Sequence, residues 1–236
     1  DDAMLFRYLH LACQPPHFIP PGEALAPTAH LLRPEFPGSR GETLPAWVKT
    51  LSGGPTVYAT VGTTVNLMPA GQQTLHAVLE ALRDEDLNLI VTTGLEIDPA
   101  QYGSQPARVH IERFIPQGLL LPHCDLVVNQ GGFSTITGAL NAGLPMVLIP
   151  MIADQPLNAA CCAKLGVGRV LGREEHTPDL IRAAVRAVLA DPSYRANVQR
   201  VREEMAALPG MEHAVALLER LGAERQPLHR RPLDHG

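Results

Sequence analysis

The segment NQGGFST, residues 129–135, carries residue types that could bind an anion. It follows a short apolar run and opens a helix-like segment, so Gly132 would lie at a helix N-terminus, where unpaired N–H groups favour negative charge. Gly131 and Gly132 have no Cβ atoms and would let a phosphate approach the backbone, while Ser134 and Thr135 would add hydroxyl donors. The alternative is a plain strand-to-helix turn in which Ser134 caps the helix.

Gln130 stands directly before these glycines. It is a neutral amide at a place where a cationic group would suit a phosphate better. The segment also differs from two common phosphate-binding patterns, because no Lys-Ser or Lys-Thr pair follows the glycines and the spacing is not GxGxxG. The sequence therefore supports neither a Walker loop nor a dinucleotide fingerprint.

Two more polar pairs follow apolar runs in the same way, Gly62-Thr63 and Asp154-Gln155. Gly62 and Thr63 could approach the same anion from a neighbouring loop. Asp154 and Gln155 place a carboxylate beside an amide, and together they could hold adjacent hydroxyls of a sugar. Asp154 before Pro156 also fits a helix N-cap, and capping and binding are compatible.

Another apolar run ends at Phe114 and Ile115. An exposed Phe114 ring could stack on a nucleobase, and the backbone of Ile115 could read the edge of that base because Pro116 stops the strand. The alternative is a core phenylalanine at a strand end.

Apolar runs alternate with helix-period segments over most of the chain. Strands are predicted at 56–62, 87–92, 108–112, 126–128, 146–149 and 169–171, and helices near 75–82, 132–142, 157–165, 177–189, from 191 and over 211–221. Such alternation is typical of a Rossmann-like, doubly wound parallel sheet of the α/β class. In that fold ligands bind beyond the carboxyl ends of the strands, where the polar segments above would converge.

Composition separates three regions. Residues 1–50 are rich in proline and predict an interdomain linker or extended segment, residues 51–225 form the Rossmann-like domain, and residues 226–236 are a flexible tail.

Charge and cysteine content exclude some classes of partner. The formal net charge is −5, which argues against nucleic acid or an anionic membrane. The four cysteines form no disulfide framework, and no run is long enough to cross a membrane. No CxxC or HExxH motif is present, so we expect no metal. We expect a soluble, cytoplasmic protein.

Taken in order, these segments resemble the C-terminal, donor-binding half of family 1 glycosyltransferases of GT-B fold. The resemblance runs from about Leu44 to Leu171 and is densest over RFIPQGLLLPHCDLVVNQGGFSTITGALNAGLPMVLIPMIADQPLNAACCAKLGVGRVL. The abundance of Ala, Pro, Arg and Leu is similar to that of actinomycete enzymes of natural-product and antibiotic biosynthesis. The resemblance implies an inverting hexosyltransferase that uses a UDP- or TDP-sugar, a small-molecule acceptor and no cofactor or metal.

The resemblance also implies a role for each site residue. Phe114 would stack on uracil or thymine, Gln117 would lie near the ribose, and Asp154 would contact the donor sugar. The implied nucleotide-binding residues are Gly62, Thr63, Phe114, Ile115, Gln117, Gln130, Gly131, Gly132, Ser134 and Thr135, and the implied donor-sugar residues are Asp154 and Gln155. The family usually has histidine where Gln130 stands, so this chain keeps a hydrogen-bond donor but no potential charge.

In that family the N-terminal half binds the acceptor and supplies the catalytic base. No residue here can be assigned that role, so no catalytic residue is predicted. We expect the chain alone to bind nucleotide and to be inactive in transfer. Two alternatives stay open: the donor subunit of a naturally split glycosyltransferase, and a non-catalytic nucleotide-sugar-binding module.

Overall fold

The computed structural model describes residues 6–19, 25–35, 41–51, 53–172 and 175–230. The chain divides into two compact units. One contains residues 1–35 and 201–236, and the other contains residues 36–200. All the predicted site residues belong to the second unit.

Eight strands are present in the described residues, and two of them form a small separate sheet. The strands are β1 (His10–Ala12), β2 (Ala29–Leu31), β3 (Thr56–Thr60), β4 (Asn88–Thr92), β5 (Val109–Glu112), β6 (Leu126–Asn129), β7 (Met146–Leu148) and β8 (Gly168–Val170). β1 pairs with β2, and the others form a six-stranded sheet in the order β5-β4-β3-β6-β7-β8. Every pair is parallel.

Burial distinguishes the inner strands of the six-stranded sheet from its outermost strands. Every residue of β3, β4, β6 and β7 is buried, as expected for inner strands of a parallel sheet covered on both faces. The outermost strands, β5 and β8, are only partly buried. The prediction of an α/β, doubly wound parallel sheet is confirmed.

Helices lie between these strands and after the last of them. They are α1 (Gly62–Val65), α2 (Pro69–Leu82), α3 (Gln117–Leu120), α4 (Phe133–Ala142), α5 (Gln155–Leu165), α6 (Pro178–Ala190), α7 (Pro192–Ala206) and α8 (Met211–Glu224). Their ends follow local signals: Gly143 ends α4 in the left-handed conformation, and the Thr177 side chain accepts the Leu180 N–H at the start of α6. None of the described helices combines the length and apolar character needed to span a membrane.

The strand order contains one reversal. The chain goes outward from β3 to β4 and β5, then returns to the other side of β3 and continues outward through β6, β7 and β8. Loops that leave β3 and β6 therefore diverge from a common crevice at the carboxyl edge. In open α/β sheets this switch point is where ligands bind.

The first unit includes part of the expected linker and tail. The strand pair β1–β2 lies within residues 1–50, and the expected extended segment is thus partly paired. Leu228 is buried and its N–H donates to the Tyr8 carbonyl at 2.8 Å, whereas residues 231–236 lie outside the described residues. The domain boundaries themselves stay a prediction.

Candidate functional site

Three loops meet at the switch point because β3, β6 and β7 are neighbours in the sheet. The segment after β3 carries Gly62 and Thr63 at the start of the short helix α1, the loop after β6 carries the glycine pair, and the loop after β7 carries Asp154. The structure therefore brings three of the predicted segments together at one edge.

The glycine turn leaves the start of α4 open. Gly132 occupies the N-cap position, and no side chain caps the helix there. Ser134 is exposed and does not have the capping role considered from the sequence. A helix start of this kind has N–H groups without intrahelical partners and a partial positive charge. It is a ready site for an anion.

Two asparagines hold the glycine turn in place. Gly131 has a φ of +88°, a conformation that favours glycine. Its N–H donates to Asn129 Oδ1 at 2.7 Å, and its carbonyl accepts a hydrogen bond from Asn158 Nδ2 at 3.0 Å. Both polar groups of Gly131 are thus bound within the protein, and the donors that face outward must come from later residues.

Gln130 lies between two glycines. A Cβ on Gly132 would come within 2.6 Å of Gln130 Nε2, and a Cβ on Gly62 would overlap the same atom. Gly62 also has a φ of +75°. Side chains at either position would displace the amide, so the β3 and β6 loops are fitted to each other through Gln130.

The Gln130 amide is buried and incompletely bonded. The residue is 7% exposed, and its Oε1 has no hydrogen-bond partner among the described residues. Buried polar atoms are normally paired with protein or water, so an unpaired one at the mouth of a crevice marks a place for a ligand or an ordered water.

The loop after β7 directs Asp154 outward. The side chain of Gln155 is buried, and its Oε1 accepts the N–H groups of Met151 and Ile152, both at 3.0 Å. Asp154 is exposed at the N-cap of α5 but caps no backbone N–H; its Oδ2 accepts a hydrogen bond from Asn158 Nδ2 at 2.8 Å. Gln155 holds the loop, and Asp154 presents a carboxylate at the site.

Phe114 and Ile115 follow β5 at the outer end of the sheet. Phe114 is 54% exposed and Ile115 is buried. Gln117 points its Nε2 at the hydroxyl of buried Tyr58, 3.0 Å away, and that hydroxyl also bonds Thr92 Oγ1 at 2.8 Å. Burial raises the pKa of Tyr58 above its ordinary value. The Phe114 ring is free to stack, while Gln117 is anchored to the sheet.

The three loops are nearly free of charge. Segments 60–66, 129–135 and 150–156 contain a single titratable side chain, that of Asp154. No group of three or more His, Cys, Asp or Glu in the described part of the chain is arranged to hold a metal ion. Anion binding by these three segments would rest on neutral N–H and hydroxyl donors.

A cleft with a volume of about 310 Å³ lies beside two of these loops. Val65 and Met68 form the side next to the β3 loop, and Met151 and Ile152 form the side next to the β7 loop. The cleft therefore lies between the segments after β3 and β7 and is lined by apolar side chains from both.

A family model described as erythromycin biosynthesis protein CIII-like, C-terminal domain, matches residues 76–221. The chain belongs to this family. Its expected similarity to the C-terminal half of actinomycete natural-product glycosyltransferases of GT-B fold is confirmed.

Individual relatives and solved structures are consistent with this family. The chain is 36% identical over 217 residues to 4'-demethylrebeccamycin synthase of Lentzea aerocolonigenes, which is 90% of this chain and 50% of that protein. The glycosyltransferase SnogD from Streptomyces nogalater superimposes with a TM-score of 0.76 at 29% identity, over 90% of this chain and 57% of SnogD. The glycosyltransferase VinC in complex with dTDP gives 0.77 at 31% identity, over 92% and 52%. The chain spans about half the length of the relatives it matches.

The sequence reasoning missed the asparagines that support the site. Asn158 lies four residues after Asp154 in α5, a spacing that puts both side chains on one helix face. That spacing could have linked Asn158 to Asp154. Its bond to Gly131, 27 positions away, had no sequence signal.

Proposed function

We propose that this chain is the donor-binding domain of an inverting glycosyltransferase. The enzyme would transfer a sugar from a UDP- or TDP-sugar to a small-molecule natural product without a metal ion. The observation that carries the proposal is the open N-terminus of α4, which lies at the switch point beside Gly62 and the outward-facing Asp154.

The diphosphate would lie against the glycine turn. The glycine turn fits closely against Gln130 and Gln155. Thr63 and Ser134 are exposed and would supply hydroxyls near the backbone donors, whereas Thr135 is buried and would need to turn toward the ligand. As the bond to the sugar breaks, negative charge grows on the departing diphosphate. A preorganised helix N-terminus would stabilise that charge in the role that a metal plays elsewhere.

The nucleoside would extend along the edge toward β5. From β6 to β5 there are three strand spacings, or about 14 Å, a span suited to an extended nucleotide. The base would stack on Phe114 beside the backbone of Ile115, and Gln117 would face the ribose with its remaining amide oxygen. The complex of the relative VinC with dTDP supports a thymine nucleotide as one ligand.

The donor sugar would meet Asp154. Its carboxylate is exposed and can accept hydrogen bonds from sugar hydroxyls, whereas Gln155 has only its Nε2 to offer because Oε1 is bound to the loop. The acceptor site and the base that deprotonates the acceptor belong, in this proposal, to the part of the relatives that this chain does not match.

Titration calorimetry with TDP and UDP tests the proposal. We expect heat of binding from at least one nucleotide in buffer with EDTA, and the same affinity with added Mg²⁺. Folded protein that binds neither nucleotide would refute the donor-site proposal. Binding that needs Mg²⁺ would refute only its metal independence.

A non-catalytic nucleotide-sugar-binding module is the second candidate. The neutral Gln130 favours it, because an amide cannot place a positive charge beside a departing diphosphate. Sugar transfer by the chain combined with its acceptor-binding half would exclude this candidate.

A further inference from the structure

One side-chain amide joins the two halves of the candidate site. Asn158 Nδ2 donates to the Gly131 carbonyl at 3.0 Å and to Asp154 Oδ2 at 2.8 Å. Gly131 belongs to the glycine turn, and Asp154 belongs to the loop after β7, where the donor sugar is proposed to bind. The two hydrogens of a single NH₂ group can serve both acceptors at once.

The bond to Gly131 fixes the direction of a neighbouring donor. The Gly131 carbonyl and the Gly132 N–H belong to the same peptide unit, and in a trans peptide they point in opposite directions. Because Asn158 draws the carbonyl toward α5, the Gly132 N–H points away from α5. No described residue accepts a hydrogen bond from it.

The same peptide unit could rotate if it were released. It joins two glycines, which lack the Cβ atoms that restrict rotation in other residues. A flipped peptide would turn the Gly131 carbonyl oxygen outward, in place of the Gly132 N–H. An acceptor oxygen facing a diphosphate is repulsive, so the anion site depends on which way this one peptide points.

We propose that Asn158 is a positioning residue for the donor site, an inference that rests on the proposed function. It holds the Gly131–Gly132 peptide with the N–H facing the diphosphate. With the other hydrogen of its amide it holds the Asp154 carboxylate beside the donor sugar. The diphosphate and sugar sites are thus aligned through a side chain that touches neither ligand.

Asn158→Ala tests this role by comparing two ligands. We expect the Kd for TDP to rise about tenfold, the scale of one lost hydrogen bond to a charged group, and the Kd for thymidine to stay the same. Thymidine has no diphosphate and would not sense the peptide direction. Calorimetry measures TDP, and ligand-observed NMR measures the weaker nucleoside.

Asn197→Ala is the matched control. Asn197 Nδ2 donates to the carbonyl of Gly166 at 3.2 Å, which is the same type of bond at the opposite edge of the sheet. We expect this variant to lower the melting temperature and to leave the Kd for TDP unchanged. An equal loss of TDP affinity in both variants would reduce Asn158 to a general stabilising role and overturn the proposal.

Asn158→Asp keeps the shape of the side chain and serves also if the alanine variant does not fold. A carboxylate cannot donate to the Gly131 carbonyl and repels Asp154, so we expect a larger loss of TDP affinity than with alanine. Unchanged TDP affinity, or an equal loss for TDP and thymidine, would contradict the inference. If the unmodified chain binds no TDP, the proposed function itself fails.

Discussion

Two glycine turns of the same sheet are each held by an asparagine side chain, but they differ in what their backbone N–H groups bind. Gly131 and Gly166 have φ angles of +88° and +66°, and each carbonyl accepts a hydrogen bond from an asparagine Nδ2. At the amino edge, the Gly166 N–H bonds carbonyls of α5 and closes that helix. At the carboxyl edge, Gly132 leaves the start of α4 open. The N–H of Gly166 is bonded within the fold, whereas no side chain caps the start of α4.

Charged side chains also differ between the amino and carboxyl edges of the sheet. At the amino edge, Asp125 Oδ2 accepts the Thr56 N–H at 2.9 Å, and Glu85 pairs with Arg186 at 2.7 Å and with Arg182 at 3.5 Å. At the carboxyl edge, the segments 60–66, 129–135 and 150–156 hold one titratable side chain, that of Asp154. These charges at the amino edge are paired within the protein, whereas the three segments at the carboxyl edge offer neutral donors to the proposed anion.

The largest expected effect comes from Gly132→Asp. Its Cβ would come within 2.6 Å of Gln130 Nε2, and its carboxylate would stand where the diphosphate is proposed to bind. We expect TDP affinity to fall by about 100-fold or more, since a like charge at close range costs several kcal/mol. Calorimetry on the folded variant checks this.

Gly166→Ala is the counterpart at the amino edge. A side chain at positive φ and 2.6 Å from Asn197 Nδ2 should lower the melting temperature without changing TDP affinity. If Gly132→Asp kept full affinity, or Gly166→Ala lost it, the functional division between the edges would be wrong.

Phe114→Ala should have an intermediate effect. Loss of base stacking, about 1–3 kcal/mol, would raise the Kd for TDP roughly 5- to 150-fold. The ring is 54% exposed, so the melting temperature of the free protein should change little. Leu95→Ala, at a residue 68% exposed after β4, is the control and should keep TDP affinity. Equal losses in both variants would indicate general apolar contact in place of stacking.

The smallest expected effect is that of Gln130→His, and it depends on pH. Imidazole titrates near pH 6.5, and its protonated form would place a positive charge beside the diphosphate. The gain is therefore present below that pH and lost above it. We expect the TDP affinity of the variant relative to the original chain to rise about three- to tenfold from pH 8 to pH 5.5.

A ratio that does not change with pH would show that residue 130 does not face the phosphates. Measuring both proteins at each pH removes the ionisation of TDP itself from the comparison.

Most of the scaffold could be predicted from the sequence. The run LVV at 126–128 became an inner strand, and Thr177-Pro178 began a helix. A continuous apolar run favours a buried strand and a Thr-Pro pair favours a helix start, and both signals are local. The pairing of β1 with β2 in the expected linker was not predicted, since each strand is only three residues long and gives a weak local signal.

The candidate site was predicted less completely. The sequence indicated a glycine turn, an aromatic and a carboxylate after successive strands. It did not indicate that Gln155 would use its oxygen on the loop, that Gln117 would bond Tyr58, or that Asn158 would reach Gly131. These bonds depend on where side chains meet after the strands have been ordered.

The sequence by itself determined the alternation of strands and helices and placed the polar segments after the strands. Apolar periodicity, glycines and caps are local, and they act before distant segments meet. Only the tertiary structure decided that the loops after β3 and β6 flank one crevice and that one amide connects Gly131 to Asp154. Those features depend on strand order and on hydrogen-bond geometry between segments far apart in the chain, which no local pattern specifies.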